Sequence, residues 1–236
     1  MCWSLEVSII TLVLEVLGAS FVLIRALRSK VPEIQCQKYH MLAFLSVILV
    51  EVVEVMLWMN PDELRPIEEA ALATCSSRNT WLTRILYPNV MLQAYIFTFV
   101  VGSENDPAVN KSHLKLVSNM TLYMFALLMI GWFLGEVFDF MLVGVESTDF
   151  NSIAGKITCS YIGKKGHLHW VFKTSNAWFL PTAGVTHLGM LAFAGFFSGL
   201  PLIPHAIPIV LQLLWLAICL IYTGGSGEAG SIWCWT

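Results

Sequence analysis

Charged residues are scarce in this chain of 236 residues, and they do not form a long run of either sign. Only 12% of the residues are Asp, Glu, Lys or Arg, whereas 57% are hydrophobic, a balance unlike that of soluble domains. The formal net charge is -3 and no basic stretch occurs, which argues against nucleic acid as a partner. The N-terminal segment has no positive region and no small-residue cleavage site, so we expect the first apolar stretch to stay as a helix.

Sequence motifs of common enzymes and channels are also missing. There is no G-x-S-x-G, no H-E-x-x-H and no glycine-rich phosphate loop, so we predict neither an enzymatic activity nor a cofactor. All eight lysines lie in predicted loops or at helix ends, which leaves no buried amine for a retinal Schiff base. The repeated arginines of a voltage sensor and the TVGYG-like loop of a potassium filter are absent as well.

Long apolar runs are what the sequence has in abundance. A helix needs about 20 apolar residues to cross a bilayer, and six runs approach this length. These runs are 5–27, 39–59, 82–102, 117–143, 177–198 and 203–223. The sequence therefore predicts an all-α polytopic membrane protein in which residues 1–236 form a single transmembrane domain, with the lipid bilayer as its partner. In the fourth run, Gly131 and Gly135 form a GxxxG pattern that predicts close helix packing.

An even number of crossings places both termini on one side of the membrane, which we call side one. The long loops 60–81 and 145–176 lie on the same side. Most tryptophans fall near side one, as expected for indole rings at an interface, namely Trp3, Trp58, Trp81, Trp170, Trp178, Trp233 and Trp235. The short loops of the opposite side carry Arg25, Arg28, Lys30, Lys38, Lys111 and Lys115. By the positive-inside rule, both termini are then extracellular or lumenal.

The second long loop has the pattern of a β-hairpin. Residues 156–162 and 167–172 are predicted strands around a turn bounded by Gly163 and Gly166. We predict a small β-hairpin lid between helices four and five. His167 and His169 alternate along the second strand and so share a face, which we interpret as an exposed polar face, with a zinc site as the alternative.

Cysteine placement predicts a disulfide bond on side one. Cys75 and Cys159 lie in the two long loops, each after a segment of the lid region. An extracellular or lumenal space permits disulfide formation, so we predict that these two cysteines are paired. Cys2 and Cys234, near the two termini, are a second candidate pair.

Two acidic pairs interrupt the apolar runs. Glu51 and Glu54 are three residues apart in the second run, so both project from one helix face, which Trp58 continues. Glu136 and Asp139 have the same spacing in the fourth run, at a similar depth. A charge deep in hydrocarbon costs at least about 2.5 to 3.5 kcal/mol, so such residues usually face a bundle interior or a wet cavity.

Facing each other, the two pairs would surround one small volume with carboxylates. We predict an ion or proton pocket opening toward side one, which Glu15, Arg84, Gln93 and His187 complete. The first functional hypothesis is a cation or proton transporter or channel. The alternative is a structural or interaction protein in which Arg84 pairs with one carboxylate and buried charges only fix helix packing. An intramembrane enzyme is a third hypothesis, and the presence of a metal is left open.

Several short motifs together resemble a family of membrane proteins. They are Glu51-x-x-Glu54-x-x-x-Trp58, Cys75 with Asn79 and Thr83, Gly166-His-Leu-His-Trp170, and the terminal Gly230-Ser-Ile-Trp-Cys-Trp235. In these motifs the chain is similar to uncharacterised six-helix membrane proteins of microalgae and of the large DNA viruses that infect them. The resemblance spans most of the chain, and it implies a polytopic membrane protein without indicating an activity.

Overall fold

The computed structural model describes residues 4–35, 38, 40–69, 74–103, 111–138, 154–155 and 157–173, with 210, 211, 214, 215, 217–219, 221 and 222. Most of these residues are helical. The helices are α1 (Leu5–Arg28), α2 (Pro32–Gln35), α3 (His40–Trp58), α4 (Ser77–Ser103) and α5 (Lys111–Phe138). The strands are β1 (Ala154–Gly155), β2 (Cys159–Ile162) and β3 (Leu168–Lys173), and single 3-10 turns cover Pro61–Glu63 and Ile67–Glu69.

Two of the described helical segments are long and apolar enough to cross a membrane. They are Leu5–Arg28 and Ser118–Glu136, with mean hydropathies of 2.4 and 1.4, and only 11% of the residues in each are buried. Most of their apolar side chains therefore face outward, and a minority, such as Leu128, pack in the core. The first segment also has favourable ends, because Ser4 caps its N-terminus and arginines occupy its last turn, where the helix dipole favours positive charge.

The first four predicted spans coincide with α1, α3, α4 and α5. Two of these helices extend beyond the apolar runs at their N-terminal ends, since α4 begins at Ser77 instead of residue 82 and α5 begins at Lys111 instead of residue 117. Hydropathy marks only the apolar part of a helix, whereas backbone hydrogen bonding continues through its polar ends. The predicted span 177–198 lies outside the described residues, and those described within span 203–223 are helical.

Consecutive long helices pack side by side, α1 on α3, α3 on α4 and α4 on α5. In the middle of the bundle, Asn89 of α4 donates a hydrogen bond to the carbonyl oxygen of Ser46 over 2.6 Å, which joins α3 to α4. The main core lies among α3, α4, α5 and β3, and includes Val53, Leu57, Leu86, Tyr87, Leu128 and Trp170. The close packing expected at the GxxxG pattern is not found at Gly135, where an added Cβ would meet no atom within 4 Å.

The predicted hairpin is confirmed. Strands β2 and β3 pair antiparallel from Cys159 opposite Val171 to Ile162 opposite Leu168, and we call this hairpin the lid. Its turn closes with a hydrogen bond of 2.8 Å from the Gly163 amide to the His167 carbonyl, and Gly166 has a φ of 81°. The sequence did not predict β1, which pairs parallel to the end of β3.

Both faces of the lid are covered. One face packs on α4 and α5, whereas the other forms a small apolar cluster of Ile67, Cys159, Tyr161 and Val171. The segment before Ile67 approaches the edge of β2, where the Ile162 amide donates to the Arg65 carbonyl over 2.8 Å. His167 and His169 are consequently 2% and 1% exposed, so their interpretation as an exposed polar face was wrong.

Candidate functional site

Three carboxylates gather where α1 packs on α3, and we call Glu15, Glu51 and Glu54 the acidic cluster. Glu51 and Glu54 are 3% and 1% exposed, on one face of α3 as their spacing predicts. Glu15 of α1 is half-buried and lies within electrostatic range of both. Its Oε2 atom is buried and accepts no hydrogen bond from any residue that the structure describes. Two adjacent helices thus contribute three acids to one region.

The buried Glu136 belongs to a separate network on the far side of α4. Arg84 donates its Nε–H to Oε2 of Glu136 over 3.0 Å, which links α4 to α5. The other carboxylate oxygen accepts a hydrogen bond from the Thr158 hydroxyl, which in turn accepts one from the Lys173 amide over 2.8 Å. Glu136 therefore ties two helices to the base of the lid. No sequence pattern indicated a contact between Glu136 and Thr158, which lies within the predicted strand 156–162 and, in the structure, just before β2.

The predicted pocket residues thus fall into groups. Arg84 forms an ion pair with Glu136, whereas Glu15 belongs to the acidic cluster with Glu51 and Glu54. Gln93 lies further along α4, about 13 Å from Arg84 at the rise of an α-helix. Glu136 lies in a different network from Glu51 and Glu54, and the places of Asp139 and His187 stay predictions because both lie outside the described residues.

A second polar network fastens the lid to the start of α4. The fully buried Asn79 accepts a hydrogen bond from the Ser160 amide over 2.8 Å and donates one to the Ser160 carbonyl over 2.9 Å. Thr83, one turn further on, lies 2.7 Å from the Ser160 hydroxyl. At this point of β2, the amide side chain of Asn79 therefore makes the two hydrogen bonds that the backbone of a neighbouring strand would otherwise make. Asn79 and Thr83 stood out in the sequence only through the resemblance, without a role.

The predicted disulfide between Cys75 and Cys159 is confirmed, with the two Cα atoms 6.0 Å apart. Beside it lies a cavity of about 220 Å³, lined by Asp62, Glu63, Arg65, Thr74, Cys75, Ser76, Cys159 and Tyr161. Burial raises the pKa of the Tyr161 phenol, which keeps it neutral. The second candidate pair, Cys2 and Cys234, lies outside the described residues.

The tip of the lid touches the last described helical segment. The His167 ring is centred 6.4 Å from that of Tyr222, and the Lys165 ammonium lies 5.2 Å from the same ring centre. Burial lowers the pKa of His167. The lid therefore contacts the N-terminal part of α4, the C-terminal part of α5 and Tyr222.

Among the described residues, no group of three or more His, Cys, Asp or Glu side chains is placed to hold a metal ion.

The two polar regions differ in what they can do chemically. The Arg84–Glu136 pair is neutral as a unit and holds elements together, whereas the acidic cluster concentrates negative charge that a proton or a cation would compensate.

A comparison of the chain with protein-family models, with curated proteins and with solved structures finds no match.

Proposed function

We propose that this protein is an integral membrane protein with six transmembrane helices, and that its acidic cluster binds a proton or a cation that the protein carries across the bilayer. The apolar, outward-facing surfaces of α1 and of residues 118–136 support the membrane location. The lid supports the even number of crossings, because it joins the start of α4, the end of α5 and Tyr222. These three points would share side one.

The observation that carries the transport proposal is the environment of Glu15. Its Oε2 atom is buried and accepts no hydrogen bond within the described part of the chain, and its carboxylate lies within electrostatic range of those of Glu51 and Glu54. Negative charges that repel one another in a medium of low dielectric constant favour the presence of a counter-charge or a proton. Exchange of that proton or cation between the two sides of the membrane would constitute transport.

For the orientation, we propose that side one, with both termini, is extracellular or lumenal. The Cys75–Cys159 bond supports this orientation, since disulfides persist in oxidising compartments. Tags at the two termini should be labelled from the same side of intact membranes. Labelling of the two tags from opposite sides would contradict the even number of crossings.

The transport proposal is tested by ion or proton flux in liposomes that contain the purified protein. Glu15→Gln and Glu51→Gln should each abolish flux while leaving the thermal unfolding midpoint nearly unchanged, because the amide keeps the size of the side chain and removes its charge. Glu6→Gln is the matched control, an exposed glutamate in the first turn of α1, and it should transport normally. Unchanged flux in both cluster variants would refute the proposal.

The Arg84–Glu136 pair favours a second candidate function, in which the buried charges only hold the bundle and the lid in place. A purely structural or interaction protein would show no flux in the wild-type form under any ion gradient. Its Glu15→Gln and Glu51→Gln variants would then change stability alone. The same liposome experiment therefore separates the two candidates.

A further inference from the structure

We propose that Arg84 and Trp81 bind the phosphate of a phospholipid headgroup on the outer surface of α4, near side one. This inference rests on the membrane location proposed above, and it does not depend on transport. It concerns a different surface from the acidic cluster.

The hydrogen-bonding capacity of Arg84 is largely unused. A guanidinium group has five N–H donors. In the described part of the chain, its Nε–H is bonded to Glu136 and its two Nη groups donate to no acceptor. The side chain is 29% exposed, so these donors are within reach of the surroundings of the helix. These donors can bond to an acceptor from outside the described part of the chain, and such a partner lowers the cost of polar groups next to hydrocarbon.

Trp81 places these donors at the membrane interface. It precedes Arg84 by three residues and therefore lies on the same side of α4. The guanidinium carbon of Arg84 lies 5.1 Å from the centre of its ring, a cation–π contact, and Trp81 is 61% exposed. Exposed indole rings favour the level of the lipid headgroups. Arg84 is thus held between an interfacial tryptophan and a buried carboxylate.

The chemistry of the site favours a phosphate group. Because Glu136 already compensates the charge of Arg84, attraction by net charge is weak, and recognition depends on directed N–H donors. A phosphate oxygen pair matches the planar fork of a guanidinium in a bidentate geometry. Ile85, the next residue along α4, is 42% exposed and offers apolar surface to an acyl chain. A phospholipid supplies both groups, whereas free phosphate supplies only the first.

The test is native mass spectrometry of the full-length protein in detergent, titrated with short-chain phosphatidylglycerol. Arg84→Lys keeps the positive charge beside Glu136 but removes the fork, so it should weaken lipid binding about tenfold. Trp81→Ala should weaken it several-fold, and since Trp81 is exposed, this variant should fold normally. Arg65→Lys, at an exposed arginine outside the site, is the control and should bind like the wild type.

Excess inorganic phosphate should leave the lipid adducts unchanged. Displacement of the lipid by inorganic phosphate would overturn the proposal in favour of a free-phosphate site. Equal lipid binding by the wild type, Arg84→Lys and Trp81→Ala would overturn it entirely. If alkaline extraction removed the protein from membranes, that result would instead refute the membrane location. A loss of flux together with normal lipid binding would concern only the acidic cluster.

Discussion

Arg84 of α4 donates its Nε–H to Glu136 of α5 over 3.0 Å, and the same carboxylate accepts a hydrogen bond from Thr158 before β2. One acid thus joins two helices to the lid. Removing one partner of a charge pair leaves the other charge without compensation. A variant that removes only one of the two charges should therefore lose stability, whereas a variant that removes both should lose much less.

Glu136→Gln should lower the free energy of unfolding by about 2 kcal/mol, because it leaves the partly buried Arg84 without a counter-charge. Thermal unfolding in detergent measures this change. The double variant Arg84→Met with Glu136→Gln should recover much of the stability, since neither charge is then stranded and the amide oxygen can still accept the hydrogen bond from Thr158. A Glu136→Gln protein with a wild-type midpoint would show that the pair contributes little.

Loss of the disulfide should destabilise the protein by about 2 to 4 kcal/mol, because the bond closes a loop between positions 84 residues apart. The variant with both Cys75→Ser and Cys159→Ser should unfold at a lower temperature than the wild type. Adding a reductant should lower the midpoint of the wild type and leave that of the double variant unchanged. An equal response of both proteins to reductant would contradict this prediction.

Asn79→Ala should cost about 3 kcal/mol, because it leaves the buried amide and carbonyl of Ser160 without their partner on α4. Asn60→Ala is the matched control, since the Asn60 side chain makes no capping hydrogen bond, and it should cost less than about 0.5 kcal/mol. Chemical denaturation monitored by tryptophan fluorescence compares the two. Similar losses for both variants would argue against a special role for Asn79.

Gly166→Ala should destabilise the lid by about 1 to 2 kcal/mol, because the backbone there has a φ of 81°. A Cβ at this position would meet no atom within 4 Å, so the cost is purely conformational. Gly135→Ala also has open space around its Cβ but lies within a helix, and it should be neutral or slightly stabilising. Hydrogen exchange of the β2 and β3 amides measures the first effect, and thermal unfolding measures the second. Destabilisation by both variants would instead indicate tight contacts at Gly135.

Acidification should loosen the lid. Burial lowers the pKa of His167 below its ordinary value of 6.5, so the unfolded state takes up a proton at a higher pH than the folded state. The stability contribution of the neutral ring is therefore fully present above pH 6.5, and it is lost as the pH falls through the folded pKa. His167→Asn should show a smaller drop in unfolding temperature between about pH 8 and about pH 5. Identical drops in both proteins would rule out His167 as the group responsible.

Local patterns in the sequence were sufficient to predict several elements. The hairpin follows from two short apolar strands around a turn bounded by Gly163 and Gly166, and the helix positions follow from apolar runs. The disulfide could be predicted because Cys75 and Cys159 lie in the two long loops that the predicted topology places on the same side of the membrane. For the hairpin and the helices the deciding information lies within about one element of the chain, whereas the disulfide prediction also used the predicted order of membrane crossings.

Contacts between distant segments could not be predicted in this way. Asn79 and Ser160 are 81 residues apart, and nothing local to either residue indicates the other. The burial of His167 and His169 depends on how the rest of the chain covers the lid, so the alternating pattern of their strand indicated the wrong environment. The choice of Glu136 as the partner of Arg84 likewise depends on how α5 is rotated against α4.

The bond between Cys75 and Cys159 also makes a covalent ring of the chain from residue 75 to residue 159, with α4 and α5 inside it. A protease that cuts once anywhere within this ring opens it without releasing a fragment. The cleaved protein would migrate as one species on a non-reducing gel and as two after reduction. During synthesis, the ring can close only after both helices have been made, so its oxidation would mark the moment at which this helical pair is complete.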